Sequence, residues 1–231
     1  MMGLKDKSRI QVVQFHQSYS YEDFIMGYRP NDSGFFLAKG PFYQFCKKAE
    51  LDSRPHFFII DEINRGNSSK IFGELLMLIE NDKRGNELRL LYSDEHFSVP
   101  ENVYIIGMMN TADRSLAMID YALRRRFAFF EFEPAFETAG FKKYQESVGN
   151  MKFGHLIDTV IAMNSIIADD ASLGTGFRIG HSYFSSTADI TDEWLSEIVE
   201  YELLPLINEY WFDEPSQMEY WSSKLRGSIR D

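Results

Sequence analysis

The chain has 231 residues, of which 44% are hydrophobic and 26% charged, and a formal net charge of -11. That is enough for one large domain or a large and a small one, with the composition of a folded globular protein. The negative balance excludes a surface that binds nucleic acid throughout, because phosphate contacts need clustered Lys and Arg; any DNA contact has to be local or come from a partner.

A single cysteine, Cys46, rules out an internal disulfide, fits a reducing compartment and reads as a half-buried structural thiol. No apolar stretch approaches the ~20 residues needed to span a bilayer. The charged start from Met1 to Lys7 has no apolar run behind it, so it is not a secretory signal, and a cytoplasmic protein without membrane contact is expected.

Ile10 to Phe15 is the first predicted strand. From Tyr28 to Tyr43, turn-forming Pro30, Asn31, Asp32, Gly34, Gly40 and Pro41 surround Phe35-Phe36-Leu37, which predicts a projecting hairpin before a helix. Phe57-Phe58-Ile59-Ile60 is an unbroken apolar run ending in Asp61-Glu62. It predicts a strand buried on both faces, with two carboxylates at the end where α/β sheets collect ligands. Lys70 to Glu80 places Ile71, Leu75, Leu78 and Ile79 on one helical face, with Ser68 or Ser69 as N-cap. Leu88 to Pro100 reads as a second hairpin.

Val103 to Met109 is another apolar strand, followed by Asn110 and then Thr111-Ala112-Asp113-Arg114-Ser115. Arg124, Arg125 and Arg126 fall at a helix end just before a last predicted strand, Phe127 to Phe132. Strands alternating with helices give an α/β fold with a mainly parallel sheet. Beyond Pro134 the pattern turns helical. A boundary near Glu133 or Pro134 divides an α/β core, 1–134, from a small helical domain, 135–231. Pro205 is expected to kink or divide the helix of Trp194 to Tyr210.

Acids at the end of a buried strand suit nucleotide hydrolysis. Asp61 would hold Mg²⁺, usually through water, and Glu62 would orient or deprotonate the attacking water. Solvated carboxylates at a strand end are the competing account. If Val103 to Met109 lies next to this strand, Asn110 emerges beside Glu62 and its amide can hold the same water; an Asx-turn is the alternative. The arginine run either complements a helix dipole or supplies an arginine finger for a transferring phosphoryl group.

The usual companion of such acids, a glycine-rich loop with Gly-Lys-Ser/Thr, does not occur in these 231 residues, which contain no Gly-Lys dipeptide. Metal-hydrolase readings fail, because His16, His56, His96, His155 and His181 show no His-Glu-x-x-His spacing and one cysteine cannot build a zinc knuckle. Gly174-Thr175-Gly176 with Gly180 is one residue too long for a dinucleotide loop and follows no apolar strand.

Four segments taken together resemble the McrB family, the GTP-hydrolysing AAA+ subunits of modified-cytosine-dependent restriction systems. They are the stretch from Gln14 to Phe24, Asp61-Glu62-Ile63-Asn64-Arg65, the stretch from Met109 to Ser115, and the stretch from Gly176 to Phe184. The resemblance runs from about Arg9 to the C-terminus. It implies an AAA+ P-loop NTPase core followed by an α-helical lid.

Residue by residue, the resemblance makes Asp61 and Glu62 the Walker B acids, Asn110 sensor 1, and Arg125 and Arg126 the arginine-finger region. Asp113 and Arg114 become part of a motif supporting hydrolysis. Asn64 and Arg65 would help position that network, and Arg178 and His181 fall in the sensor 2 region of the lid. The family implies Mg²⁺ and GTP, with ATP as the alternative, a hexameric ring, an McrC-like nuclease partner that stimulates hydrolysis, and DNA contact through the complex.

The family's sheet has strand order 5-1-4-3-2, and this sequence starts just before strand 2. The core is therefore expected to be partial, a parallel sheet lacking its first, central strand and the phosphate-binding loop. Two facing edges would be left unpaired, at roughly 1 to 3 kcal/mol for each buried backbone group, and no activity is expected of the chain alone. The competing expectations are a non-catalytic assembly module docking on McrB- or McrC-type subunits, and an ATP-using AAA+ protein with a helix-2 insertion.

Overall fold

A computed structural model describes residues 6–110, 121–186 and 188–230. Its contacts divide the chain into two compact units, Met1–Phe129 and Phe130–Asp231. The first contains β1 (Ile10–Gln14), α1 (Tyr21–Phe24), β2 (Met26–Asn31), β3 (Gly34–Lys39), α2 (Pro41–Ala49), β4 (His56–Asp61), α3 (Ser68–Phe72), α4 (Leu75–Leu78), β5 (Glu87–Arg89), β6 (His96–Ser98), β7 (Val103–Gly107) and α5 (Tyr121–Arg124).

Among the described residues the parallel sheet has the order β1-β4-β7, with β4 in the middle. Val12 lies opposite Ile59 and Ile59 opposite Ile106, both pairings parallel. Parallel neighbours need long crossovers, and here the crossovers contain the two predicted hairpins, β2–β3 and β5–β6, both antiparallel. The core is built on phenylalanine. Phe24 stacks on Phe42 and meets Phe15, Phe58 and Phe72 edge-on, and all five are at most 1% exposed. The four-residue α1 can present Phe24 because Ser20 and Asp23 form a capping box around its first turn.

Several expectations are corrected. β4 is not buried on both faces: Phe58 and Ile60 are fully buried, whereas Phe57 and Ile59 are half-buried. The helices cover one face of the sheet, and on the other Val12, Tyr104 and Ile106 remain 60%, 52% and 44% exposed. The helix predicted from Lys70 to Glu80 is two short helices, because Gly73 between them takes φ +51°, where a side chain is strained. The four predicted apolar residues are still buried, and the N-cap is Asn67, whose side chain accepts from Lys70 N.

The strand predicted at 127–132 does not form. A strand requires an adjacent ladder, and this segment has none; Phe130 and Phe132 stand 84% and 96% exposed. The division between units falls inside it, after Phe129. Cys46 is completely buried rather than half-buried.

The second unit contains α6 (Ala139–Val148), α7 (Met151–Asp169), α8 (Asp192–Glu197), α9 (Leu204–Tyr210) and α10 (Pro215–Ser228). Thr138 caps α6, Gly149 ends it in the left-handed region, and Asn150 caps α7. α7 carries the apolar ridge, with Phe153, Leu156, Val160, Met163 and Ile167 fully buried. Pro205 divides its helix as expected: a π-helical segment, Ile198–Leu203, opens the turn before it, and α9 begins with the proline in its first turn, where no N–H is needed.

Candidate active site

Asp61 ends the central strand. Its carbonyl accepts from Phe15 N at 2.9 Å, and its Oδ1 accepts from the N–H of Glu62 at 3.0 Å. The chain then turns sharply: Glu62 takes φ +52°, the one non-glycine residue with positive φ among those described. An L-residue avoids this region unless its surroundings impose it.

The imposing contacts are on Ile63, which is 4% exposed. Its N–H donates to Met108 O at 3.0 Å, just past the end of β7, and its carbonyl accepts from the buried Ser68 Oγ at 3.0 Å. Gly107 makes the approach possible, since a Cβ there would stand 2.8 Å from Ile63 Cδ1. Ile63 is pinned on both sides, and Glu62 absorbs the turn.

This clamp joins the end of β4 to the end of β7, so Asn110, two residues past Met108, belongs to the same edge of the sheet as Glu62. Glu62 Oε2 lies 3.1 Å from Arg65 Nε. The contact is an ion pair without hydrogen-bond geometry, and Oε2 is a buried acceptor with no hydrogen-bond partner. Asn64 Oδ1 is a second one. Buried acceptors are normally satisfied, so two unmet ones beside a strained glutamate mark a site fitted to donors or a hydrated cation. Among the described residues no group of three or more His, Cys, Asp or Glu could chelate a metal by itself. A cation at Asp61 would therefore take most of its ligands from water and phosphate.

The arginine run is split in its duties. Arg126 N donates to Leu123 O at 2.8 Å, and Leu123 is in the core. The Arg126 side chain, 19% exposed, pairs with Glu80 at 2.5 Å. Arg124 and Arg125 are exposed. The predicted pair thus comprises one tethered arginine and one presented to solvent.

Arg178 and His181 lie in the second unit. Arg178 Nε donates to Thr175 O at 3.0 Å, and its Nη2 is 3.7 Å from both Glu131 and Glu133. His181 Nδ1 accepts from Ala135 N at 3.1 Å, which fixes the ring. Asp113 and Arg114 lie outside the described residues.

The structure thus brings Asp61, Glu62, Asn64, Arg65 and Asn110 to one sheet edge, while Arg178 and His181 belong to the second unit. Sequence reasoning missed Gly107 and Glu80, and read Ser68 as an N-cap rather than as the donor to Ile63 O. Only Gly107 left a signal, as the interruption of an apolar run.

Comparisons with known proteins bear on both units. Residues 2–127 match the family model described as the AAA domain of the dynein-related subfamily, and residues 155–219 match the McrB alpha-helical lid domain. The chain is 50% identical over 98% of its length to the type IV methyl-directed restriction enzyme EcoKMcrB subunit of Escherichia coli K12, covering 52% of that protein. It is 28% identical over 58% of its length to the type II restriction enzyme BsuMI component YdiS of Bacillus subtilis 168, covering 41% of it. The chain therefore spans about half the length of the first of these relatives.

Proposed function

Because this chain belongs to the AAA+ family, as an McrB-like member with the family's α/β core and helical lid, we propose that it is the hydrolytic part of a nucleoside triphosphatase. GTP is the favoured substrate and ATP the alternative. The observation that carries the proposal is the clamped turn at the end of β4, which holds Glu62 at φ +52° beside the end of β7.

In this reading the Glu62 carboxylate orients the attacking water and takes its proton, and the Asn110 amide holds the water from the neighbouring strand end. A rigid carboxylate avoids reorganisation during the reaction, which is what a strained, over-determined backbone supplies. Arg65 pairs with the Glu62 side chain, and Asn64 and Arg65 help position that network. Arg125 is the arginine free to reach a neighbouring subunit's phosphates, with Arg126 anchoring it through Glu80. Asp113 and Arg114 support hydrolysis by their motif, and Arg178 and His181 read the nucleotide from the lid.

Asp61 would hold Mg²⁺ through water, and the ion when bound would neutralise charge on the phosphate oxygens. The phosphate-binding loop has to come from outside these residues.

The names of the relatives support a place in an McrBC-like restriction system acting on modified DNA, and the cytoplasm is the compartment proposed for it. There the protein would assemble as a hexameric ring and work with an McrC-like nuclease subunit, reaching DNA through the complex. No helix among the described residues is long and apolar enough to cross a membrane. The test is GTP and ATP turnover by this chain alone and by the chain joined to a phosphate-binding loop, each with Glu62→Gln. The joined form should hydrolyse GTP and lose this with Glu62→Gln; turnover that survives the substitution removes Glu62 from the mechanism.

The exposed Arg125 favours one second reading, an assembly module that completes a neighbour's site. Adding the chain to intact McrB-type rings would change their GTPase rate in that case, and failure to associate would exclude it.

A further inference from the structure

Asn164 is a polar residue on the apolar side of α7, 6% exposed, one turn from Val160 and beside Met163 and Ile167. A core amide is tolerated only when its hydrogen-bonding groups are met. Here both ends are met by the same residue. Asn164 Nδ2 donates to Ile179 O at 2.9 Å, and Ile179 N donates to Asn164 Oδ1 at 2.6 Å. The side chain thus does for Ile179 what a neighbouring strand would do, at a point where the backbone has left regular structure.

Ile179, 1% exposed, lies in the segment between Gly176 and Phe184, with Arg178 on one side and Gly180-His181 on the other. With Ile179 fixed at its side chain, N–H and carbonyl, the residues next to it leave the core in fixed directions. Among the described residues, the contacts of the Arg178 side chain are a hydrogen bond within its own loop and two longer ion pairs. Its two carboxylate neighbours stand 3.7 Å away with side chains 68% and 72% exposed, and such contacts are screened by water. Its Nε bond to Thr175 O stays within the same loop.

We infer that Asn164 is a positioning residue that, through Ile179, aims Arg178 at the phosphates of a bound nucleoside triphosphate. The inference rests on the reading of Arg178 as a nucleotide contact. A buried leucine would pack in the same place but would leave both backbone groups of Ile179 unmet and the loop free to turn.

The test is a double-mutant cycle in the chain joined to a phosphate-binding loop, with affinity for a fluorescent GTP analogue as readout. Asn164→Ala should weaken binding about tenfold, within the usual range of coupling between linked residues. In an Arg178→Ala background it should change nothing further. Equal losses in both backgrounds would make Asn164 a purely structural residue and overturn the inference.

An unchanged affinity for Arg178→Ala alone would refute the nucleotide role of Arg178, and the inference with it. Hydrogen exchange at the Ile179 amide reads the clamp separately: it should accelerate in Asn164→Ala whatever the nucleotide does, and unchanged exchange would refute the clamp. Should the alanine variant unfold the lid, Asn164→Asp carries the same cycle, keeping the acceptor for Ile179 N and losing the donor to its carbonyl.

Discussion

The turn at Glu62 can be tested without nucleotide, by comparing Glu62→Gly with Glu62→Ala. Both substitutions remove the carboxylate and the contact with Arg65, so their difference isolates the backbone. At the observed φ of +52°, an L-residue pays roughly 1 to 2 kcal/mol for its Cβ, which glycine does not. Glycine loses roughly 0.5 to 1 kcal/mol more in chain entropy on folding. The glycine variant should therefore be the more stable of the two by about 0.5 to 1 kcal/mol. At an ordinary negative φ the order would reverse, with alanine ahead by about the same amount.

For a chain of this size, 1 kcal/mol moves the midpoint of thermal unfolding by about 2 to 4 °C. Trp194, Trp211 and Trp221 all belong to the second unit, so tryptophan fluorescence would follow the wrong part of the molecule. Hydrogen exchange at Ile63 reads the first unit directly. An alanine variant as stable as the glycine variant, or more so, would refute the claim that Ile63 forces Glu62 into the left-handed region. Neither variant should hydrolyse nucleotide.

The arginines should separate by assay: Arg126→Ala should cost about 1 kcal/mol in urea unfolding through loss of the Glu80 pair and its packing. Arg125→Ala should leave stability within about 0.5 kcal/mol and lower ring turnover by about 10³-fold; the reverse pattern would exchange their roles. The two hairpins of the first unit are fastened by carboxylates, and hydrogen bonding from the Tyr43 hydroxyl, assisted by Lys39, holds the Glu95 carboxyl below the ordinary 4.5. Its contribution is present above that value and lost as pH falls through the lower folded value, so proteolysis of the 87–98 hairpin should accelerate there and Tyr43→Phe should weaken the dependence. Burial raises the pKa of the Cys46 thiol well above its ordinary range, and Cys46 should react with a disulfide reagent at pH 8 only as fast as the first unit opens; prompt labelling of the native chain would contradict its burial.

What the sequence made legible was decided by periodicity and turn chemistry. The runs around Val12, Ile59 and Ile105 became adjacent parallel strands, and the chain turned at Asp32 between Asn31 and Gly34 to make a hairpin. These signals are local, and local preference and tertiary structure agree on them. The signal failed where a partner outside the segment decides the outcome. Phe127 to Phe132 has the phenylalanines of a strand but no ladder to join. Ile71 to Ile79 has the helical face, but Gly73 takes a positive φ beside Tyr21.

The same limit applies at the candidate site. Asp61-Glu62 could be recognised as a pair of acids at a strand end, yet nothing in those two letters says that Glu62 is strained. That conformation is written in Met108, Ser68 and Gly107, which act on Ile63 from up to 45 positions away in the sequence. Replacing Ser68 by alanine would leave a buried carbonyl unmet, and replacing Gly107 would press a Cβ into Ile63, without touching either acid. The conformation of Glu62 is therefore a property of the junction between β4 and β7, and the residues that make it need carry no chemistry of their own.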